Sequence, residues 1–74
     1  MSRVTKTVRL SGHAEDSIED AITTVLGRAA MTIERIASFR VIEIEGDVDA
    51  AGVPRGYRVT VDITFDVRAG EEAV

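Results

Sequence analysis

The sequence predicts an α+β fold with the element order β-α-β-β, in which three antiparallel strands form one sheet in the order 1-3-2 around one long helix. Three observations predict it. Residues 57–68 alternate strictly between apolar and polar side chains, the period of a half-buried β-strand. Residues 15–36 carry apolar side chains three and four positions apart, as on one face of an amphipathic helix. Residues 46–56 contain three glycines and the single proline, which predicts a long hairpin loop.

The first predicted strand runs from Val4 to Leu10. Val4, Val8 and Leu10 share one side, while threonines and an arginine occupy the other side. Lys6 is the one polar residue on the apolar side. Gly12 is expected to end the strand.

The predicted helix spans about Glu15 to Ile36, roughly six turns. Its apolar stripe consists of Ile18, Ile22, Val25, Leu26, Ala29, Ile33 and Ile36. Acidic residues in the first turns and arginines later in the segment suit the helix dipole at both ends. Gly27 lies inside the segment, where glycine costs about 1 kcal/mol relative to alanine. Either close packing against a neighbouring backbone compensates this cost, which is the alternative that we favour, or the helix is weaker there.

The second predicted strand, Phe39 to Glu45, changes parity, because Phe39 and Val41 share one face while Ile42 and Ile44 share the other. A β-bulge or burial of both faces would produce this pattern. The third strand, Tyr57 to Arg68, has a regular apolar face and a regular polar face. Residues 69–74 are expected to be frayed.

The connections predict the topology. A helical connection makes the first two strands point the same way, and the hairpin makes the third strand antiparallel to the second. Placing the third strand in the centre gives an all-antiparallel sheet. The helix can cover only the apolar face, so the polar face and two open edges remain available for subunit contact.

Composition limits the function. The 74 residues predict a single domain with a small core, and the chain has no cysteine and one histidine, so oligomerisation is the stabilising device that we expect. Thirteen acidic against nine basic residues argue against a nucleic-acid partner. No apolar run is long enough to cross a membrane, and the start, Met-Ser-Arg-Val, lacks the apolar segment of a signal peptide. We therefore expect no membrane partner and a cytoplasmic location.

Few residues suggest chemistry directly. Glu43, Glu45, Asp47 and Asp49 alternate along the second strand and its loop, and such carboxylates either bind a hard cation such as calcium or magnesium or form a solvated edge. His13 is expected to cap the helix or to be exposed. No nucleophile with its base and no glycine-rich phosphate loop is recognisable, so the sequence predicts a protein that is not an enzyme.

Several stretches, in this order and spacing, resemble the dodecin family. They are Leu10-Ser11-Gly12, Glu15-Asp16-Ser17-Ile18-Glu19-Asp20-Ala21, Arg28-Ala29-Ala30-Met31-Thr32-Ile33, Val41-Ile42-Glu43-Ile44-Glu45-Gly46, and Tyr57-Arg58-Val59-Thr60-Val61 with Phe65. The resemblance implies a sheet wrapped around a helix, twelve copies assembled as a hollow sphere, and flavin bound at subunit interfaces. In that family, tryptophans from symmetry-related chains stack on paired flavin rings, and a glutamine on the last strand hydrogen-bonds the ring.

This chain departs from the pattern at both positions. Ser38 stands where the family has the tryptophan, and Arg58 stands where it has the glutamine; the chain has no tryptophan at all. Phe39 and Tyr57 are the aromatic residues near the implied pocket, and each is also a candidate for core or interface packing. Glu43 and Asp47 match positions that lie near ligand or cation sites in dodecins.

Two hypotheses follow. The first is a homododecamer that binds and stores flavin, riboflavin or flavin mononucleotide (FMN), in an altered and weaker pocket formed by Ser38, Phe39, Glu43, Tyr57 and Arg58. Arg58 either contacts the ligand or forms an ion pair with a nearby carboxylate. The second is a cage that binds no flavin and serves as a divalent-cation-binding assembly, with Glu43 and Asp47 as ligands, or as a structural assembly. A small monomeric interaction module is a third possibility.

Overall fold

The structure, a computed structural model, describes residues 2–67 and contains three strands and one helix within them. These are β1 (Val4–Ala14), α1 (Ile18–Ala30), β2 (Ile36–Val48) and β3 (Pro54–Val67). The strands form one sheet in the order β1-β3-β2, and both pairings are antiparallel. The predicted fold class is therefore confirmed. The fraying predicted for residues 69–74 lies outside the described residues.

The core lies between α1 and the apolar face of β3. Side chains one helical turn apart on α1 meet alternate side chains of β3, as the two periodicities require. The buried residues are Ala21, Val25, Ala29, Val59, Val61 and Ile63. Burying each valine or isoleucine contributes about 1.5 to 3 kcal/mol. The prediction that the helix packs on the apolar face is confirmed, and the alanines on α1 let the helix approach the sheet closely.

The helix is much shorter than predicted, and both predicted ends are wrong. It begins after Ser17, whose hydroxyl accepts a hydrogen bond from the backbone amide of Asp20 at 3.0 Å. It ends at Ala30, and the chain then turns into β2 through Arg35, whose φ of 59° cannot continue a right-handed helix. Ile33 and Ile36 keep the helical spacing and still pack against the core, but from the connecting segment and from β2.

The structure corrects the prediction for Gly12 and decides between the two alternatives for Gly27. Gly12 does not end β1, which continues to Ala14; a Cβ at Gly12 would collide with Cγ2 of Val25, so this glycine permits close packing of α1 on β1. Apart from its chain neighbours and the adjacent helix backbone, no atom lies within 4 Å of the position that a Cβ of Gly27 would take, so the favoured alternative, close packing, is wrong and the other, a weaker helix, holds. A glycine at position 27 therefore only weakens the helix.

The parity change in β2 comes from β-bulges, which was one of the two explanations predicted for it. The register with β3 shifts between Ile36 and Ser38, between Val41 and Glu43, and between Gly46 and Asp47. The predicted loop of residues 46–56 is mostly strand. Only a tight turn separates β2 from β3, and the Asp49 carboxylate holds it by accepting hydrogen bonds from the amides of Ala51 and Val53 at 2.9 and 3.0 Å.

The helix packs against β1 and β3 and leaves β2 largely uncovered. On the helix side of the sheet, Phe39 lies opposite Ile63 and Ile44 opposite Val59, yet Phe39 and Ile44 remain 49% and 53% exposed. The subunit is elongated, 54 Å long and 19 Å across. Within residues 2–67, no helix is long and apolar enough to cross a membrane.

Candidate functional site

The face of the sheet turned away from α1, called the polar face here, carries a ladder of cross-strand pairs. Hydroxyls meet at Thr7–Thr64, 2.9 Å apart, and at Ser11–Thr60, 3.1 Å apart. Between these two pairs, Arg9 contacts Asp62. Just before β1 begins, the Nε of Arg3 donates to Asp66 at 2.7 Å. Thr60, Asp62, Thr64 and Asp66, four of the polar side chains predicted on β3, thus find partners within the same chain.

The pair of Arg9 and Asp62 is the strongest contact of this ladder. The guanidinium donates to both carboxylate oxygens, from Nε to Oδ1 at 2.7 Å and from Nη2 to Oδ2 at 3.1 Å. These hydrogen bonds, with the positive charges of Arg9 and Arg40 nearby, lower the pKa of Asp62. Asp62 therefore keeps its negative charge, and Arg9 neutralises it.

A groove of about 300 Å³ opens on this face at the start of β2, and we call it the Ser38 groove. It is lined by Thr7, Ser38, Phe39, Arg40, Asp62 and Thr64. Ser38 reaches it because the first bulge of β2 places Ser38 opposite Thr64. The volume is at the low end of the range for ligand sites, so the groove of one chain is a small and open site.

A second group of charged side chains lies near the turn between β2 and β3. Arg58 lies between two carboxylates, 3.3 Å from Glu45 and 3.6 Å from Asp47. The predicted ion pair of Arg58 is therefore present, and its contact with a ligand stays a prediction. His13 lies on β1 opposite Arg58. Of the two predicted alternatives for His13, exposure is confirmed and capping of the helix is wrong, because Ser17 is the cap.

Gly56 creates the last bulge beside this group. It has no register partner between the pairs Gly46–Tyr57 and Asp47–Arg55, and its φ is 64°. Glycine is favoured in this left-handed conformation at a bulge. A Cβ there would also lie 3.2 Å from His13 Nε2, a tight contact from which the exposed imidazole would have to shift.

The predicted site residues do not form one pocket within a single chain. Ser38 is opposite Thr64, six residues along β3 from Arg58, a separation of about 20 Å at about 3.3 Å per residue. Tyr57 pairs with Gly46 on the opposite face of the sheet from Arg58. Phe39 lines the Ser38 groove, although its register partner Ile63 belongs to the core side. Only copies of the chain could bring the Arg58 end beside the groove.

The acidic run is spread along β2. Glu43 is opposite Thr60, Asp47 is opposite Arg55 and contacts Arg58, and Asp49 is used by the turn. Within residues 2–67, no group of three or more histidine, cysteine, aspartate or glutamate side chains is arranged to hold a metal ion. Glu43 and Asp47 as cation ligands therefore stay a prediction that needs carboxylates from several copies.

Sequence reasoning missed most of the groove, namely Thr7, Arg40, Asp62 and Thr64. The signal was present, because Arg40 stands two positions after Ser38 in an extended segment and so shares its face. The strict alternation of β3 had already placed Asp62 and Thr64 on the polar face. The register between the strands was missing, and it decides which of these residues are neighbours.

The architecture defines a class of protein: a small α+β subunit with one incompletely covered edge strand and a polar sheet face. The chain belongs to the dodecin family, because the Dodecin family model matches residues 4–68. The dodecin of Thermus thermophilus is 38% identical over 65 residues, which cover 88% of this chain and 93% of that protein. Dodecins are known as flavin-binding dodecamers and are not known as enzymes.

Solved dodecin structures agree with the fold. A crystal structure of an arginine-to-alanine mutant of the Thermus thermophilus dodecin has a TM-score of 0.81 and 36% identity, covering 90% of this chain and 98% of that chain. A tryptophan-to-phenylalanine mutant of the same dodecin gives the same values, so that relative carries a tryptophan, the residue type absent here. Calcium dodecin from Mycobacterium tuberculosis, described as having a novel calcium-binding site, has a TM-score of 0.73 and 31% identity, covering 90% of this chain and 94% of that chain.

Proposed function

We propose that this chain forms a homododecamer that binds and stores flavin, riboflavin or FMN, at interfaces between its copies. The observation that carries the proposal is the match to dodecins over nearly the whole chain. The Ser38 groove supports it, because the groove is at the low end of the size range for ligand sites and is open, so a second copy could complete it. The cytoplasmic location and a role without catalysis belong to the same proposal.

We propose further that flavin binds more weakly than it would to an indole-walled pocket. Stacking of an aromatic side chain on a planar heterocycle contributes about 1 to 3 kcal/mol per contact, and Ser38 supplies none. Arg58 can donate hydrogen bonds to a ligand only by loosening its contacts with Glu45 and Asp47. Both features favour a reduced affinity.

Titration of riboflavin and FMN into the apo-protein, followed by flavin fluorescence, tests this proposal. We expect saturable quenching with about one flavin per subunit, and we expect Arg58→Ala to change the affinity if Arg58 contacts the ligand. Ser38→Trp should strengthen binding about five- to 150-fold by restoring the stacking surface. Absence of quenching in both the wild type and Ser38→Trp would contradict a flavin site.

The Mycobacterium tuberculosis calcium dodecin supports a second candidate, a cage that binds divalent cations. Glu43 and Asp47 are the proposed ligands, gathered from several copies around a symmetry axis. A colourless dodecamer whose melting temperature rises with calcium, and rises less in Glu43→Gln, would favour this candidate over flavin storage. Sodium chloride at equal ionic strength is the matched control.

A further inference from the structure

Arg40 lines the Ser38 groove, and its positive charge acts on Asp62 only at longer range. It makes no hydrogen bond or ion pair with any residue of the part that the structure describes, in contrast to Arg3, Arg9 and Arg58. Its register partner is Asp62, whose two carboxylate oxygens are already bound by Arg9. The three charged groups Arg9, Arg40 and Asp62 leave one net positive charge, and Arg40 carries it at the groove.

Polar groups beside Arg40 suit an anion. The Ser38 hydroxyl makes no hydrogen bond within residues 2–67, and it lines the groove together with Arg40. Thr7 and Thr64 add two hydroxyls that already bond each other. A planar guanidinium with an adjacent hydroxyl provides several donors directed at one oxyanion, and arginine favours phosphate because two of its N–H groups can bind two oxygens at once.

We propose that Arg40 is the side chain with which this site binds the phosphate of its ligand, and that the site therefore prefers a phosphorylated flavin to riboflavin. This proposal rests on flavin storage as the function. It assigns the preference to Arg40 and not to Arg58, whose charge is already balanced by two carboxylates. Ser38, too small to stack on the ring, supplies a hydroxyl to the same phosphate.

The test compares FMN with riboflavin in the wild type and in variants of equal charge change. We expect FMN to bind about fivefold more tightly, equivalent to about 1 kcal/mol for one solvent-screened ion pair, and the difference to shrink as salt is raised. Arg40→Gln should lower the FMN affinity to that of riboflavin and leave riboflavin unchanged. Arg28→Gln, on the exposed side of α1, is the matched control and should retain the difference.

Three outcomes would overturn the assignment: equal affinities for the two flavins in the wild type, an equal loss for both flavins in Arg40→Gln, or loss of the difference in Arg58→Gln instead. If neither flavin binds, flavin storage fails, and inorganic pyrophosphate followed by ³¹P line broadening then decides the role of Arg40. Broadening that disappears in Arg40→Gln but persists in Arg28→Gln would keep Arg40 as the anion-binding residue. Absence of broadening in the wild type would overturn that role as well.

Discussion

Single residues of β3 are matched one by one to residues on the neighbouring strands. On the polar face, Thr60, Asp62 and Thr64 each meet a side chain of β1 that completes a hydrogen bond or ion pair. Exposed pairs of this kind contribute about 0 to 1 kcal/mol each, so the ladder fixes the register more than it raises stability. Arg40 lacks such a contact, so its guanidinium is the group on this face that we expect a ligand to bind.

Asp62 predicts an acid-sensitive contribution to stability. Because its pKa is lower in the folded protein than in the unfolded chain, its contribution is complete above about pH 4 and is lost as pH falls through the folded pKa. Thermal melts between pH 6 and pH 2 should show the wild type losing its advantage over Asp62→Asn in that acidic range. Arg9→Gln removes the partner of Asp62, so this variant should already lack the advantage over Asp62→Asn at neutral pH. A melting-temperature difference between wild type and Asp62→Asn that does not change with pH would contradict the contact.

Two glycine-to-alanine substitutions should have opposite signs. At Gly12 the new Cβ meets Cγ2 of Val25, a stiff β-branched side chain in the core, so Gly12→Ala should destabilise the protein by about 1 to 3 kcal/mol. At Gly27 there is open space, so Gly27→Ala should stabilise it by up to about 1 kcal/mol through helix propensity. Urea unfolding measures both. Stabilisation by Gly12→Ala would show that α1 and β1 are less closely packed than described.

The identity of individual site residues was only partly predictable. Ser38 was singled out because it replaces an expected tryptophan, and it does line a groove. The distance between Ser38 and Arg58 was not predictable. An alternating pattern assigns each residue to a face of the sheet but does not say where along that face a residue of another strand lies. About 20 Å of strand separates the two ends of that face.

At the scale of elements, the start of α1 depends on one side chain. Ser17 accepts from the amide of Asp20, and acidic residues follow in the first turn. Ser17→Ala should destabilise the protein by about 1 kcal/mol, whereas Ser17→Asp should preserve the cap. Equal melting temperatures for wild type and Ser17→Ala would mean that packing alone determines where the helix begins.

Element type was more predictable than element length. The alternation in β3 identified a central strand, since strict period two over twelve positions fits no helix. The helix was overextended because Ile33 and Ile36 continue its apolar spacing while packing on the core from a turn and a strand. The hairpin loop was overestimated because Gly46 and Gly56, taken as loop residues, lie within strands at bulges.

At the scale of the whole molecule, the uncovered apolar side chains of β2 predict an assembly contact. Ile44 points to the helix side of the sheet, where α1 does not reach it. In the proposed dodecamer, Ile44→Glu should lower the mass from about twelve times the 8.0 kDa subunit to smaller species, because a carboxylate would be buried at an interface. Light scattering after size exclusion measures this, with Ile44→Val as control, and an intact dodecamer would place the contact elsewhere.

The central position of β3 also has a consequence for the order of events during synthesis. Both β1 and β2 pair only with β3, which is translated after them, and the core residues of α1 pack on β3 as well. Until residues 54–67 have left the ribosome, the earlier elements have no sheet to join, and the nascent chain exposes their apolar side chains. Folding of this subunit is therefore a late event that joins residues as distant as Val4 and Val67.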